Sequence, residues 1–276
     1  VQWLPAPEVA SPLLVLLHGT GASAHSWAGV MEVLHGQVPL LAVDLPGHGY
    51  TEGAPVPALG FEAMATGLNA LLQKLRATGP VVVAGHSAGA AVALAWARLQ
   101  EDAPHAAFRA SAVVGLNPSL VPPPALYNRL LGPVLAPLAT SRPTASLLGL
   151  LATSTRIIDQ LLDSTGTPLS PLDRRRYRAL FARPAHVRGA LGFMAAADLP
   201  ALLQRCVGLS VPFDCLLAED DPWVRAGPLR QVLAEIFPRA VVRSERGGHL
   251  LHEAQPKLIA GWLRGIVMGT EERGGG

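Results

Sequence analysis

Charged residues are scarce in this sequence of 276 residues. Asp, Glu, Lys and Arg make up 15% of the chain, whereas an average soluble domain has roughly 25%. Hydrophobic residues make up 50%, aromatic residues only 5%, and the formal net charge is +2. A chain this apolar lacks the composition of a disordered protein. With so little net charge and so few aromatic side chains, we expect no nucleic-acid partner.

Cysteine is rare as well. Cys206 and Cys215 are the only two cysteines, too few for a disulfide framework and without the spacing of metal ligands. The chain does not open with the basic and apolar segments of a secretory signal. We therefore expect a cytoplasmic protein that uses no metal and no cofactor.

Long uninterrupted apolar segments are also missing. The least charged stretch, residues 130–151, contains three prolines and one arginine, whereas a membrane-spanning helix needs about 20 mostly apolar residues. We therefore expect no transmembrane segment.

Short runs of Val and Leu alternate with longer segments of helical pattern. Continuous apolar runs are typical of parallel strands that are buried on both faces of a sheet, and this alternation predicts helices on both sides of a mostly parallel sheet. The predicted strands are residues 13–17, 39–43, 80–84, 111–116, 211–217 and 240–243, and the predicted helices are residues 61–76, 88–100, 223–237 and 249–267.

The alternation stops between residues 117 and 209, where only helical patterning is found. Structureless loops longer than about 15 residues are uncommon, so residues 117–209 are predicted to be a helical lid. Ligands of open α/β sheets bind outside the carboxyl ends of the strands, which is where a lid would cover the site. Residues 1–116 and 210–270 are then the core, and residues 271–276 are predicted to be a flexible tail.

A candidate nucleophile lies in Gly85-His86-Ser87-Ala88-Gly89. This G-x-S-x-G pattern follows a predicted strand and precedes a predicted helix, which is the context of a nucleophile elbow. The flanking glycines relieve crowding at the sharp turn, and the helix N-terminus favours developing negative charge. Ser87 is the predicted nucleophile.

A serine nucleophile needs a base and an acid that orients the base. His249 follows the last predicted strand and is the favoured base, with His252 as the alternative. The acid of such enzymes falls between serine and histidine in sequence. Asp221 is favoured because it lies furthest past a strand end, just before a proline; Asp220 is the alternative and Asp198 is a weaker candidate.

Two glycine-rich loops follow predicted strands. One is residues 18–21, where the Thr20 amide, together with the Ala88 amide, would bind the oxyanion of an acyl-transfer intermediate. The other is residues 44–49, where Asp44 is expected to bind neighbouring amides in a structural role. The residues expected to line the substrate pocket are Gly19, His86 and Asn117.

Taken in order, these motifs resemble the α/β-hydrolase superfamily over nearly the whole chain apart from the insertion. More narrowly, residues 16–27, 85–91, 115–117 and 247–253 are similar to the hydrolase-fold magnesium-chelatase accessory proteins of bacteriochlorophyll biosynthesis. The superfamily usually has additional N-terminal strands. The resemblance implies that residues 1–4 are the remnant of the second strand and that the first strand is missing.

The predicted function is that of a serine hydrolase acting on a hydrophobic ester. The resemblance adds a link to magnesium-porphyrin and bacteriochlorophyll biosynthesis, with a tetrapyrrole or its ester side chain as ligand and magnesium-chelatase subunits as partners. Two alternatives stay open. One is a non-catalytic accessory protein that binds a porphyrin, and the other is a general esterase, lactonase or C–C hydrolase unrelated to pigments.

Overall fold

One sheet organises the part of the chain that the computed structural model describes, which is residues 1–4, 11–51, 55–104, 107–121 and 155–269. The strand order is β1-β3-β2-β4-β5-β6-β7. All neighbours are parallel except β1, which pairs antiparallel with β3. The strands are β1 (Gln2–Leu4), β2 (Leu13–Leu17), β3 (Leu40–Val43), β4 (Gly79–His86), β5 (Phe108–Leu116), β6 (Phe213–Ala218) and β7 (Val241–Glu245).

The inner strands of the sheet are buried on both faces, as their Val- and Leu-rich sequences predict. Along β2, Leu13, Val15 and Leu17 pack into one apolar cluster. Leu14 and Leu16 pack into a second cluster on the opposite face. Because successive side chains of a strand point to opposite faces, an uninterrupted apolar run fills both clusters. The mostly parallel, doubly covered sheet predicted from the sequence is therefore confirmed.

Ten α-helices flank the strands among the described residues. The predicted helix over residues 249–267 is in fact two helices, because Pro256 has no N–H to continue the first and starts the second at its N1 position. The helices are α1 (Ala28–Leu34), α2 (Phe61–Lys74), α3 (Ala88–Asp102), α4 (Thr155–Asp163), α5 (Pro171–Phe181), α6 (Pro184–Ala196), α7 (Leu199–Cys206), α8 (Ala226–Ile236), α9 (Leu251–Ala254) and α10 (Pro256–Met268).

Helices α4 to α7 belong to the segment predicted to be a lid. Its residues 122–154, and the predicted tail 271–276, lie outside the described residues. The division of the chain at residues 117 and 209 therefore stays a prediction. The weakly charged stretch 130–151 also lies outside them, and no helix within the described ranges is long and apolar enough to cross a membrane. Both cysteines are buried and free.

Helix α6 lies directly against the loop that follows β3. A Cβ atom on Gly189 would overlap the carbonyl group of Gly47, and a Cβ on Gly47 would come within 2.7 Å of the Gly189 Cα. Gly47 also has a φ of 77°, in the left-handed region. The predicted lid segment and the core are therefore in direct backbone contact at these two glycines.

This contact predicts that Gly189→Ala destabilises the protein by about 2 kcal/mol or more, because neither backbone can yield to the added methyl. Denaturant unfolding measures the loss. The matched control is Gly67→Ala in α2, where an added Cβ meets nothing within 4 Å. There the helical preference of alanine should raise stability by about 0.5–1 kcal/mol. Equal stabilities of the two variants would contradict the close backbone contact.

Candidate active site

Ser87 occupies a strained turn between β4 and α3. Its φ of 52° and ψ of −120° lie outside the regions that L-residues normally adopt. The turn closes only because two glycines flank it: a Cβ on Gly85 would overlap the Ala90 nitrogen, and a Cβ on Gly89 would lie 2.5 Å from the His18 oxygen. Strain of this kind is concentrated at functional sites. Ser87 is also partly exposed, so its hydroxyl is accessible.

His249 and Asp221 form a buried pair. The His249 Nδ1 lies 2.7 Å from the Asp221 Oδ2, and the two side chains are 4% and 0% exposed. The other carboxylate oxygen accepts the backbone N–H groups of Trp223 at 2.8 Å and Val224 at 2.9 Å. An ionised carboxylate can only accept hydrogen bonds. The proton therefore sits on Nδ1, and the neutral imidazole keeps Nε2 as the acceptor that a general base requires.

The His249 carbonyl is held by two side chains expected to line the pocket. His86 donates its Nε2–H to this oxygen at 2.8 Å, and Asn117 donates from Nδ2 at 2.9 Å. The Asn117 Oδ1 in turn accepts the Ala218 N–H at 2.5 Å, and Asn117 is only 2% exposed. These contacts tie the ends of β4, β5 and β6 to the loop that carries His249. Sequence reasoning singled out both residues but did not find this connection.

His252, the alternative base, lies in an aromatic stack behind the site. Its ring is 4.6 Å from Trp27 and 4.3 Å from His86, measured between centroids. Neither His252 nitrogen has a hydrogen-bond partner among the described residues. Burial, together with the neighbouring His249, lowers the pKa of His252 to about 3. Burial also lowers the pKa of His86. His252 is therefore a neutral packing residue.

The alternative acids have other surroundings. Asp220 is exposed, and its backbone N–H donates to the Gly247 oxygen at 3.1 Å. Asp198 caps helix α7 by accepting the Ala201 N–H at 3.1 Å. Of the three aspartates, Asp221 is the one whose carboxylate is bonded to His249.

The predicted oxyanion loop lies directly on Ser87. A Cβ on Gly19 would be 3.0 Å from the Ser87 Cβ. Thr20 and Ala88 are partly exposed beside it. Ala88 is the first residue of α3, where N–H groups lack partners within the helix and the helix dipole favours negative charge. His18 holds this loop: Nδ1–H donates to the Gly19 oxygen at 2.8 Å, and Nε2 accepts the Leu45 N–H at 3.0 Å.

Burial lowers the pKa of His18 to about 3. The ring therefore stays in the neutral tautomer that these two hydrogen bonds require. Asp44 adds a second brace, accepting the Ala24 N–H at 2.7 Å and the Tyr50 N–H at 3.2 Å. The structural role predicted for Asp44 is confirmed.

His186 of helix α6 reaches the same loop from the predicted lid segment. Its Nε2–H donates to the Gly21 oxygen at 3.2 Å, and its Nδ1 accepts the Gly49 N–H at 3.1 Å. Burial lowers the pKa of His186, which favours this neutral form. Sequence reasoning missed His186, because nothing in the local pattern distinguishes it from an ordinary helical histidine.

The assembled groups have the composition of an acyl-transfer site. They comprise a strained, accessible hydroxyl, a buried histidine–carboxylate pair in the basic tautomer, and backbone amides at a helix N-terminus. Within the described ranges, no three His, Cys, Asp or Glu side chains are arranged to hold a metal ion.

Comparison with known protein sequences gives matches along most of the chain. Residues 14–262 match the sequence profile of the alpha/beta hydrolase family. The chain is 34% identical over 258 residues to the magnesium-chelatase 30 kDa subunit of Rhodobacter capsulatus, covering 92% of this chain and 87% of that protein. It is also 38% identical over 97 residues to an esterase of Mycobacterium tuberculosis, covering 34% of this chain and 30% of the esterase.

Solved structures have the same fold. A thermophilic esterase from Thermogutta terrifontis superimposes with a TM-score of 0.73 at 19% identity, covering 97% of this chain and 92% of the esterase. The epoxide hydrolase CorEH superimposes with a TM-score of 0.76 at 20% identity, covering 97% and 93%. At such low identities these superpositions establish the fold alone. The resemblance inferred from the motifs is confirmed.

Proposed function

Because the chain belongs to the alpha/beta hydrolase family, we propose that it is a serine hydrolase that transfers the acyl group of a hydrophobic ester to water. The observation that carries this proposal is the buried 2.7 Å hydrogen bond between His249 and Asp221. This bond puts the imidazole in the tautomer of a general base. The ring centroid of His249 is 4.7 Å from that of His86, the residue that precedes Ser87.

In the proposed reaction, Ser87 Oγ attacks the ester carbonyl carbon while His249 Nε2 takes the hydroxyl proton. Asp221 stabilises the resulting imidazolium, which then donates the proton to the leaving alkoxide. The acyl group now bonded to Ser87 is released when His249 removes a proton from water and the hydroxide attacks the acyl carbon. The free carboxylic acid leaves, and Ser87 recovers its proton.

The negative charge on the carbonyl oxygen forms beside the amides of Thr20 and Ala88. Loss of one such donor typically lowers kcat by about 100- to 1,000-fold. The hydrogen bonds of His18 and His186 to the neighbouring carbonyls of Gly19 and Gly21 support this role, because they fix the loop before the substrate arrives.

The proposed substrate is hydrophobic, and the proposed link to bacteriochlorophyll biosynthesis indicates its chemical class. Similarity to the magnesium-chelatase 30 kDa subunit supports a tetrapyrrole carrying an ester side chain as substrate and chelatase subunits as partners. We propose that residues 117–209 cover this substrate as a lid over the strand ends. The two buried, free cysteines are consistent with a cytoplasmic location.

The same similarity supports a second candidate, a non-catalytic protein that binds a porphyrin for the chelatase. The chain would then keep the hydrolase fold without using its hydroxyl nucleophile. The difference between the two candidates lies in the reactivity of Ser87.

A fluorophosphonate probe tests that reactivity. We expect the folded protein to gain one covalent phosphonyl adduct, mapped to Ser87 by peptide mass spectrometry, and heat-denatured protein to gain none. Ser87→Ala should abolish the adduct. Ser119→Ala is the matched control: Ser119 is a partly exposed neighbour whose N–H donates to the Ser87 oxygen at 3.1 Å, and its loss should leave labelling intact.

Absence of an adduct on folded protein would overturn the hydrolase proposal. Titration with a magnesium porphyrin then decides the second candidate. Saturable binding that survives Ser87→Ala, with no ester cleavage, would establish the accessory role. No binding at all would leave neither pigment-linked proposal standing.

A further inference from the structure

Residues 164–167, between helices α4 and α5, touch the loops that carry both His249 and Asp221. We propose that this four-residue segment of the predicted lid positions the catalytic pair, an inference that rests on the function proposed above. The lid would then contribute to turnover as well as to substrate binding. The segment was not singled out by sequence reasoning.

The first contact is with the backbone of the histidine loop. The His249 N–H donates to the Thr165 oxygen at 2.8 Å, and the Leu250 N–H donates to the Thr167 Oγ1 at 2.9 Å. Thr165 and Thr167 are 2% and 4% exposed. Two consecutive amides of the catalytic loop therefore take their acceptors from this segment.

With these bonds, both the N–H group and the carbonyl group of His249 have hydrogen-bond partners. On the carbonyl side, His86 and Asn117 donate to the His249 oxygen. On the amide side, Thr165 accepts. With both sides held by different elements, the direction of the Cα–Cβ bond is fixed, and so is the point from which the imidazole extends.

The second contact is steric and reaches both loops. A Cβ on Gly248 would overlap the backbone of Gly166. The two segments of the chain are therefore in direct backbone contact at these glycines. A Cβ on Gly166 would lie 3.2 Å from Pro222 and 3.4 Å from the Asp220 oxygen. Gly166 has a φ of 68°, in the left-handed region. The segment therefore lies against the residues that flank each member of the pair.

The third contact passes through Trp223. Its backbone N–H donates to Asp221 Oδ1 at 2.8 Å, and its indole N–H donates to the Ser164 Oγ at 3.2 Å. The indole ring lies 5.1 Å from the His249 ring, tilted by 37°. One residue thus contacts the carboxylate, the imidazole and the segment together.

The segment is itself anchored. Thr165 donates from its hydroxyl to the Leu162 oxygen at 2.6 Å and from its N–H to the same oxygen at 3.1 Å. Leu162, Ile158 and Tyr177 form an apolar cluster that includes Leu250. A movement that lifted α4 away from the core would therefore break the hydrogen bonds of the histidine loop. If the lid opens, residues 164–167 must stay in place, because otherwise the hydrogen bonds that position His249 are lost.

Thr167→Val tests the proposal, because valine keeps the shape of threonine and removes the acceptor of the Leu250 N–H. We expect kcat for a p-nitrophenyl ester to fall about tenfold or more, with KM changed by less than about twofold. We expect the acidic limb of the kcat/KM pH profile to move, and Thr167→Ser to restore both. Thr66→Val is the matched control, because Thr66 is exposed on α2 and donates to the Glu62 oxygen within its own helix.

A readout independent of activity is the downfield proton resonance of the hydrogen bond between His249 Nδ1 and Asp221. We expect a sharp signal in the unmodified protein and in Thr167→Ser, and a broadened or shifted one in folded Thr167→Val. Unchanged kcat, pH profile and resonance in Thr167→Val would overturn the positioning role.

The two proposals fail in different ways. If the unmodified protein takes no fluorophosphonate label, the hydrolase proposal is wrong, and the resonance alone decides whether the segment holds the pair. A resonance that responds to Thr167→Val would then support the positioning contact in a protein without this activity. A resonance that does not respond would remove both proposals.

Discussion

Asp221→Asn is expected to lower kcat for ester hydrolysis by about 10,000-fold while leaving the fold intact. The reason lies in how the Asp221 carboxylate is shared. One oxygen accepts two backbone N–H groups, from Trp223 and Val224, and the other accepts from His249 Nδ1. In the variant, the amide oxygen must stay on the two backbone donors, since the amide NH₂ group cannot accept from them.

The NH₂ group of the introduced asparagine therefore faces His249 Nδ1 and donates to it. The imidazole must then carry its proton on Nε2, and a protonated Nε2 cannot take the proton of Ser87. Turnover of a p-nitrophenyl ester and the rate of fluorophosphonate labelling measure the effect. Both should fall together, because both need the same activated hydroxyl.

Asp220→Asn is the matched control and settles the alternative acid. Asp220 is the neighbouring carboxylate, but it is exposed. Its replacement should change kcat by less than about threefold, since exposed charges near a site interact weakly through water. A larger loss in Asp220→Asn than in Asp221→Asn would show that the acid is assigned to the wrong residue.

The second large effect is on stability in acid. We expect the free energy of unfolding to fall steeply below pH 6.5, and the protein to unfold by about pH 4.5, given that domains are stable by only about 5–15 kcal/mol. Burial lowers the pKa of His18 and His252 to about 3 and that of His25 to about 4. Burial lowers the pKa of three further histidines, His48, His86 and His186.

The sign follows from linkage. Each of these histidines is neutral in the folded protein and takes up a proton more readily when unfolded. The stability it contributes is complete above the unfolded pKa of 6.5 and is lost as the pH falls toward the folded value. Each such group adds up to about 1.4 kcal/mol per pH unit to the slope. Urea unfolding at a series of pH values measures that slope.

His252→Phe measures the contribution of one histidine to this pH dependence of stability. Neither nitrogen of His252 has a hydrogen-bond partner among the described residues, so an aromatic replacement removes the titrating group without breaking a polar contact. The slope between pH 6 and pH 5, where the protein is still folded, should decrease by about 1.4 kcal/mol per pH unit. His35→Phe, at an exposed position on the surface, is the control and should leave the slope unchanged. Equal slopes in all three proteins would refute the account.

Glu253 acts in the opposite direction, between about pH 4.5 and pH 8. Burial raises its pKa to about 8, and Tyr177 donates to its Oε1 at 2.6 Å. For a carboxyl group with a raised folded pKa, the protonated form is favoured by folding. Stability is then greatest below the unfolded pKa of about 4.5 and decreases as the pH rises toward 8. The acid-side loss from the histidines is larger, because several groups contribute to it.

The core of the fold follows from local sequence. Residues 13–17 are predicted as a strand and form β2 with the same bounds, because a run of Leu and Val suits a strand buried on both faces. Pro256 marks where the last predicted helix divides. The strand-turn-helix context around Ser87 fixes the elbow, since that backbone geometry depends on the two neighbouring glycines.

Contacts between distant segments were not predictable in this way. Thr167 and Leu250 are 83 residues apart, and His186 and Gly21 are 165 apart. Hydrogen bonds of this kind depend on how the predicted lid packs against the core. The sequence around a single threonine or histidine does not indicate which distant residue it will bond. The sequence therefore identifies the candidate reacting groups, while the groups that hold them emerge only from tertiary structure.

The hydrogen bond from the His249 N–H to the Thr165 oxygen has a consequence for exchanging the predicted lid between related proteins. In the proposed function, residues 117–209 cover the substrate, while Ser87, His249 and Asp221 in the core carry out the chemistry. Here an exchange of residues 117–209 for those of a relative would also replace the acceptors of the His249 and Leu250 amides. A chimaera would have to transfer residues 164–167 together with the loop around residues 247–250. On the proposed function, we therefore expect such an exchange to change substrate range and turnover together.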